Sequence, residues 1–130
     1  MRVLTDTHIL LWALLRPGRL DATDRDVLES PEHQVFFSAV NIWEIAIKRA
    51  LDRPDFDVEP EAVYRAALET GFRELPVSAV HAAAVRDLPA HHRDPFDRLL
   101  IAQARTEPLF LMTDDPLIDL YAVKRVGGPN

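Results

Sequence analysis

The 130 residues, 48% hydrophobic and 28% charged, suffice for one α/β core and fall short of two. No cysteine is present, which excludes disulfides and thiolate-bound zinc and fits a reducing cytoplasm. The net charge of −6 argues against a global basic field for nucleic acid, yet 13 of the 15 basic residues are Arg, so a local phosphate-binding patch stays compatible.

Nothing in the chain reads as a membrane or targeting segment. The longest apolar run, Ile9 to Leu15, is too short to span a bilayer, and Met1 to Asp6 lacks the zones of a signal peptide. Arg2 to Thr5 reads as a short strand that ends in Asp6. The helix that follows, Thr7 to Leu14, carries more apolar surface than one face can bury and stops at Pro17-Gly18, so it offers Trp12 to the core or to a partner chain. Asp21 to Leu28 reads as a short, charged, solvent-facing helix with Thr23 as its cap. Val35-Phe36-Phe37 reads as a buried strand. Ser38 then opens a helix from Ala39 to Leu51, on which Asn41, Glu44 and Lys48 form one polar stripe between apolar residues.

Arg53 to Pro60 is a Pro- and acid-rich connector, and Glu61 to Thr70 a helix closed by Gly71. Arg73 to Val77 is briefly extended, and Ser78 caps an Ala-rich helix that ends near Leu88. This region reads as an αα insertion between two α/β halves of a single domain. Near the C-terminus, Leu109 to Met112 is a fully apolar strand, Thr113-Asp114-Asp115-Pro116 leads into a helix, and Ala122 to Val126 reads as a final edge strand. Gly127 to Asn130 reads as a frayed tail.

The most informative stretch lies between these, from His91 to Ala104. Asp94 suits an N-cap, Pro95 the first helical position, and Asp97 falls at N3. Phe96, Leu99, Leu100, Ile101 and Ala104 cover most of the helix, which leaves Arg98, Ala102 and Arg105 for a wet face. Capping explains Asp97 at about 1 kcal/mol and requires no function; a hard-metal ligand is the competing reading. Glu44 is similarly open between an i,i+4 pair with Lys48 and a role facing a site.

Strands alternating with helices predict a three-layer α/β/α fold around a mostly parallel sheet, whose strand carboxyl ends share one edge. Asp6 and Asp115 follow strands, while Glu44 and Asp97 lie early on helices facing that edge. Two carboxylates about 5 Å apart repel by ~3 kcal/mol at an effective dielectric of 20, so four together imply a divalent cation.

The segments Leu4 to Trp12, Ser38 to Lys48, Asp94 to Ala104 and Thr113-Asp114-Asp115 together resemble the four motifs of PIN-domain ribonucleases, nearest to the VapC-type toxins of bacterial toxin–antitoxin pairs. The resemblance implies a PIN-like α/β/α fold and RNA cleavage with Mg2+, for which Mn2+ substitutes. It also implies a homodimer, inhibition by a cognate antitoxin, and no membrane association. Carried onto this chain, the family's acids fall on Asp6, Glu44, Asp97 and Asp115, with Asp114 one residue from the fourth position. Asp94, an extra acid of this subgroup, is assigned to capping and support of the site. Thr5, Thr7, Ser38 and Thr113 are candidates for orienting carboxylates, and Lys48, Arg93 and Arg98 for positioning the RNA backbone.

His91 and His92 read as ordinary loop residues, His8 as a neighbour of the site, and Trp12 and Trp43 as core. Two alternatives compete with the nuclease. A receiver-like phosphoacceptor requires an acidic pair after its first strand, where this chain has only Asp6; a non-catalytic binding domain requires that the acids only cap helices.

Overall fold

The computed structural model describes residues 1–51 and 57–127. A four-stranded sheet in the order β3-β2-β1-β4 is parallel throughout. Its strands are β1 (Arg2–Thr5), β2 (Gln34–Ser38), β3 (Arg73–Leu75) and β4 (Phe110–Met112). The helices are α1 (Thr7–Leu15), α2 (Ala22–Glu29), α3 (Ala39–Ala50), α4 (Pro60–Thr70), α5 (Ala79–Ala84) and α6 (Pro95–Thr106). This is the expected α/β/α layering.

The two faces of the sheet follow from the period-2 alternation of a strand. Leu4, Phe36, Leu75 and Leu111 point to one side, where Leu100, Ile101 and Ala104 of α6 and Leu88 after α5 cover them. Val35 and Phe37 point to the other side, against Leu10 of α1, Ile45 of α3 and Val63 and Ala67 of α4. Val3 and Met112, on that same side nearer β4, meet Ile9 of α1 and Val27 of α2. Parallel strands require cover on both faces, and the adjacent buried Val3-Leu4 of β1 and the wholly apolar β4 are the sequence signature of that demand.

Several local expectations are corrected. The helix after Leu20 is capped by Asp21, whose Oδ1 accepts the Asp24 N–H at 2.7 Å, not by Thr23. That start turns Asp24 and Val27 inward, so α2 is not wholly solvent-facing. The αα insertion is instead a crossover through β3, an edge strand that pairs with β2 from Phe36↔Arg73 to Ser38↔Leu75. Ala102 is buried, not wet, because Leu88 and the partly buried Ala84 and Val85 pack over that side of α6. Residues 122–126 add one bridge, Leu111↔Arg125, and no full strand. Trp43 is 51% exposed and lies edge-on to Phe96 at the surface rather than in the core. The connector expected from Arg53 and the tail beyond Gly127 fall, in part or whole, outside the described residues.

Strand order reverses between β1 and β4, with β2 and β3 on one side of β1 and β4 on the other. Open α/β sheets place their binding crevice at such a switch point, beyond the carboxyl ends of the strands. Here those ends are Thr5-Asp6 and Met112-Thr113, joined by the Asp6 N–H donating to the Met112 carbonyl at 3.0 Å.

Gly71 ends α4 with φ at 98°, a left-handed conformation that L side chains rarely adopt, and nothing lies within 4 Å of a Cβ placed there. Gly71→Ala is therefore expected to cost about 1 kcal/mol through backbone strain alone. The check is a lowered urea midpoint with an unchanged m-value, and an unchanged midpoint would refute the backbone argument.

Candidate metal centre

Each acid reaches the edge by a local mechanism. Asp6 caps α1, with Oδ1 accepting the Ile9 N–H at 2.8 Å. Asp94 caps α6 by accepting from Phe96 N at 2.8 Å and Asp97 N at 3.3 Å, which leaves the Asp97 side chain itself free of that duty. Asp115 caps the 3₁₀ turn Pro116–Leu120 through Oδ1 and the Leu117 N–H at 3.0 Å, leaving Oδ2 for the crevice. Glu44 lies one turn into α3, where Thr7 Oγ1 donates to its Oε1 at 2.6 Å and Lys48 Nζ donates to its Oε2 at 2.6 Å. The pair with Lys48 expected from the i,i+4 spacing is thus present, and the other oxygen of Glu44 takes Thr7 as its partner.

The structure brings Asp97 and Asp115 to the same ring nitrogen of His92. Oδ2 of Asp97 lies 3.1 Å and Oδ2 of Asp115 lies 2.8 Å from Nε2 of His92. One ligand-type atom from each of the three residues falls within 4.8 Å of the others. Asp6 and Glu44 act on Asp97 as nearby like charges. Asp114 is exposed and adds a like charge to the surroundings of Asp6.

Burial pushes the Asp6 carboxyl up to about 6, against lowering contacts from Thr113 and the Ile9 N–H. Asp97 is raised further, to about 7, by burial and then by Asp94, with His92 opposing and Glu44 and Asp6 adding to the rise. Asp24, on α2, is raised to about 6 by burial and by Asp21, and it also feels Asp6 and Asp114. Carboxylates so crowded favour a cation, and their hard oxygens are the donor set magnesium and manganese prefer. The residues present therefore fit such an ion.

A buried polar chain supports Glu44 from behind. Asn41 Nδ2 donates to Thr7 Oγ1 at 3.1 Å, and Asn41 Oδ1 accepts the Ser38 N–H at 2.7 Å. Ser38 Oγ donates to Gln103 Oε1 at 2.6 Å. Gln103 Nε2 continues to His81 Nδ1 at 3.3 Å, and His81 Nε2 pairs with Glu107. Thr113 Oγ1 accepts the Asp115 N–H at 3.1 Å, while Thr5 Oγ1 makes only a long 3.5 Å contact to the Phe36 carbonyl.

Among the cations expected to position substrate, Lys48 is held by Glu44 and Arg93 is exposed. The Arg98 guanidinium donates to the carbonyls of Pro89, His92, Val85 and Leu88, at 2.9 to 3.4 Å, and so fastens the 85–92 loop. His91 lies against Tyr121, and His8 against Trp12, while also lowering Asp6. Sequence reasoning missed Asp24, His81, Gln103 and the placement of His92. A signal for Gln103 existed: an amide on an otherwise apolar helix face.

The chain belongs to the PIN-domain family, whose model matches residues 3–124. The motif-based expectation of family and fold is thereby met. No curated protein sequence matches the chain. Solved structures share the fold at low identity. VapBC2 from Rickettsia felis, bound to a DNA fragment from its promoter, aligns with a TM-score of 0.67 at 14% identity, covering 96% of each chain. VapBC-1 from nontypeable Haemophilus influenzae gives 0.61 at 17% identity, over 98% of this chain and 100% of the other. FitAcB from Neisseria gonorrhoeae gives 0.59 at 22%, over 96% and 98%.

A carboxyl raised on folding binds its proton more tightly in the native state than in the unfolded one. Its contribution therefore turns against folding as pH rises through the folded value, and stability is regained as pH falls back toward the unfolded value. With Asp6 and Asp24 near 6 and Asp97 near 7, the metal-free protein is expected to become more stable from about pH 8 to pH 5. Asp6→Asn, which retains an oxygen for the Ile9 N–H, should stabilise the metal-free protein at pH 8 by on the order of 2 kcal/mol and flatten that dependence. Urea titrations across pH measure this; a destabilised, equally pH-sensitive variant would contradict it.

Proposed function

We propose that this PIN domain is a divalent-metal-dependent ribonuclease that acts as the toxin of a toxin–antitoxin pair. The observation that carries the reading is the meeting of Asp97 and Asp115 at His92 Nε2, within the fields of Asp6 and Glu44, at the carboxyl edge of a parallel sheet. In this proposal Asp6, Glu44, Asp97 and Asp115 hold magnesium, for which manganese substitutes. Such an ion, when bound, makes a water acidic enough to attack a phosphodiester and offsets the charge that develops on the phosphate.

The chain's own residues supply orientation. Thr7 and Lys48 fix Glu44 by one hydrogen bond to each oxygen. Ile9 N–H and Leu117 N–H each occupy one oxygen of Asp6 and Asp115, and the second oxygen of Asp115 meets His92 Nε2. A carboxylate of the cluster accepts the proton of the attacking water. Arg93 and Lys48 are the side chains proposed to meet the RNA backbone, and Asp94 to support Asp97 by holding the helix start.

The partner proposals rest on other features. The likeness to VapBC and FitAB structures supports a cognate antitoxin as inhibitor. A groove of about 260 Å³ beside α1, lined by Leu11, Trp12, Leu15 and Arg19 among others, suits an apolar segment from such a partner. Exposed Trp43, Ile47 and Leu51 along α3 offer apolar area to a second copy, in keeping with a homodimer. No described helix is long and apolar enough to cross a membrane.

RNA incubated with the purified chain should be cut only when magnesium or manganese is added. Asp6→Ala and Asp97→Ala should lower the rate on the order of 100-fold or more without loss of fold. Undiminished cleavage by both variants would refute the site, and uptake of phosphate from acetyl phosphate onto one Asp would favour a receiver. Induced alone in a bacterium, the parent should arrest growth while Asp97→Ala does not; equal growth would refute the toxin role.

A further inference from the structure

The His92 ring is the best-fixed polar group in the crevice that the proposed chemistry leaves without a task. Its side chain is only 12% exposed. The loop carrying it is pinned on three sides: His92 N–H donates to Tyr121 Oη at 2.7 Å, Tyr121 Oη donates to the Pro89 carbonyl at 2.9 Å, and Arg98 Nη1 donates to the His92 carbonyl at 3.2 Å. None of these contacts touches a carboxylate of the cluster, yet together they set where the ring points.

Its two nitrogens then have distinct duties. Nδ1 accepts the Asp94 N–H at 3.2 Å, so in the neutral ring the single hydrogen lies on Nε2. That hydrogen faces Oδ2 of Asp115 at 2.8 Å and Oδ2 of Asp97 at 3.1 Å. A nitrogen bearing hydrogen has no lone pair to give a cation. The ring is close enough to be counted among metal-binding atoms, but its tautomer makes it a donor to the acids instead.

We propose that His92 is a positioning residue, which spreads one Nε2–H over Asp97 and Asp115 and so holds two mutually repelling carboxylates as a pair ready for a divalent cation. The inference rests on the metal-centre reading above. It assigns the ring to hydrogen-bond donation and not to metal ligation. Asp94 gains a second duty: the residue whose side chain caps α6 also orients the ring through its own N–H.

The test titrates manganese into metal-free wild type, His92→Ala and His92→Gln by calorimetry, with circular dichroism confirming the fold of each. Loss of the donor should weaken manganese affinity about 10-fold in His92→Ala, the scale typical of residues that orient ligands. His92→Gln, whose amide N–H replaces the lost donor, should stay within about 3-fold of wild type. Wild-type affinity in His92→Ala, tighter binding in it, or a Gln variant as weak as the Ala variant would each overturn the proposal. Should wild type itself take up no manganese, the metal-centre reading falls separately. The donor role is then decided without the ion at pH 8: His92→Ala should unfold at lower urea than His92→Gln, and equal midpoints overturn it.

Discussion

Negative charge is concentrated here by the same features that make the fold. A parallel sheet directs all its carboxyl ends one way, and each helix that follows a strand starts at that edge. Helix starts favour acids, because their unpaired N–H groups are satisfied by carboxylate oxygens. Asp6, Asp94 and Asp115 are all caps of this kind. Each is locally favourable, and their sum is repulsive. Burial raises the carboxyls of Asp6 and Asp97 first, and the like charges around them add to the rise.

The surrounding protein keeps the conflict from undoing the site. Glu44 is drawn toward Thr7 and Lys48, and the Thr7 hydroxyl is itself set by Asn41, Ser38 and Gln103. Buried polar groups with all partners in place act as rigid links, so α1, α3 and α6 meet in one register at the crevice. On the far side, Arg98 binds four carbonyls and Tyr121 two loop groups, which makes the 85–92 loop a wall of the site. The apolar surplus of α1 and α3 has a different logic: Leu15, Trp43, Ile47 and Leu51 remain exposed although the core is already closed beneath them.

Much of this was legible in the chain because it is local. Asp94-Pro95-Phe96-Asp97 specifies a cap, a helix start and an acid at N3 within four residues. Ser38 with Asn41 specifies a capping box, and Gly71 a left-handed helix end. The errors were of two kinds. Thr23 and Asp21 are both good caps two residues apart, and only the docking of Val27 on the core chose between them. Arg73-Glu74-Leu75 reads as extended but is too short and too polar to announce a place in the sheet, which it takes because β2 offers a free edge.

By itself the sequence determined the alternation of strands and helices, most of the caps, and which acids stand at element boundaries, since these depend on neighbours a few residues apart. Tertiary structure alone decided which acids face one another and what holds them there. Ser38 and Gln103 are 65 residues apart, and His92 and Asp115 are 23. Contacts at such separations depend on the path of the whole backbone, and no periodicity encodes them. His92 reads as an ordinary loop histidine for that reason: its meaning lies in Asp115 and Tyr121, brought to it from elsewhere in the chain, together with the nearby Asp97.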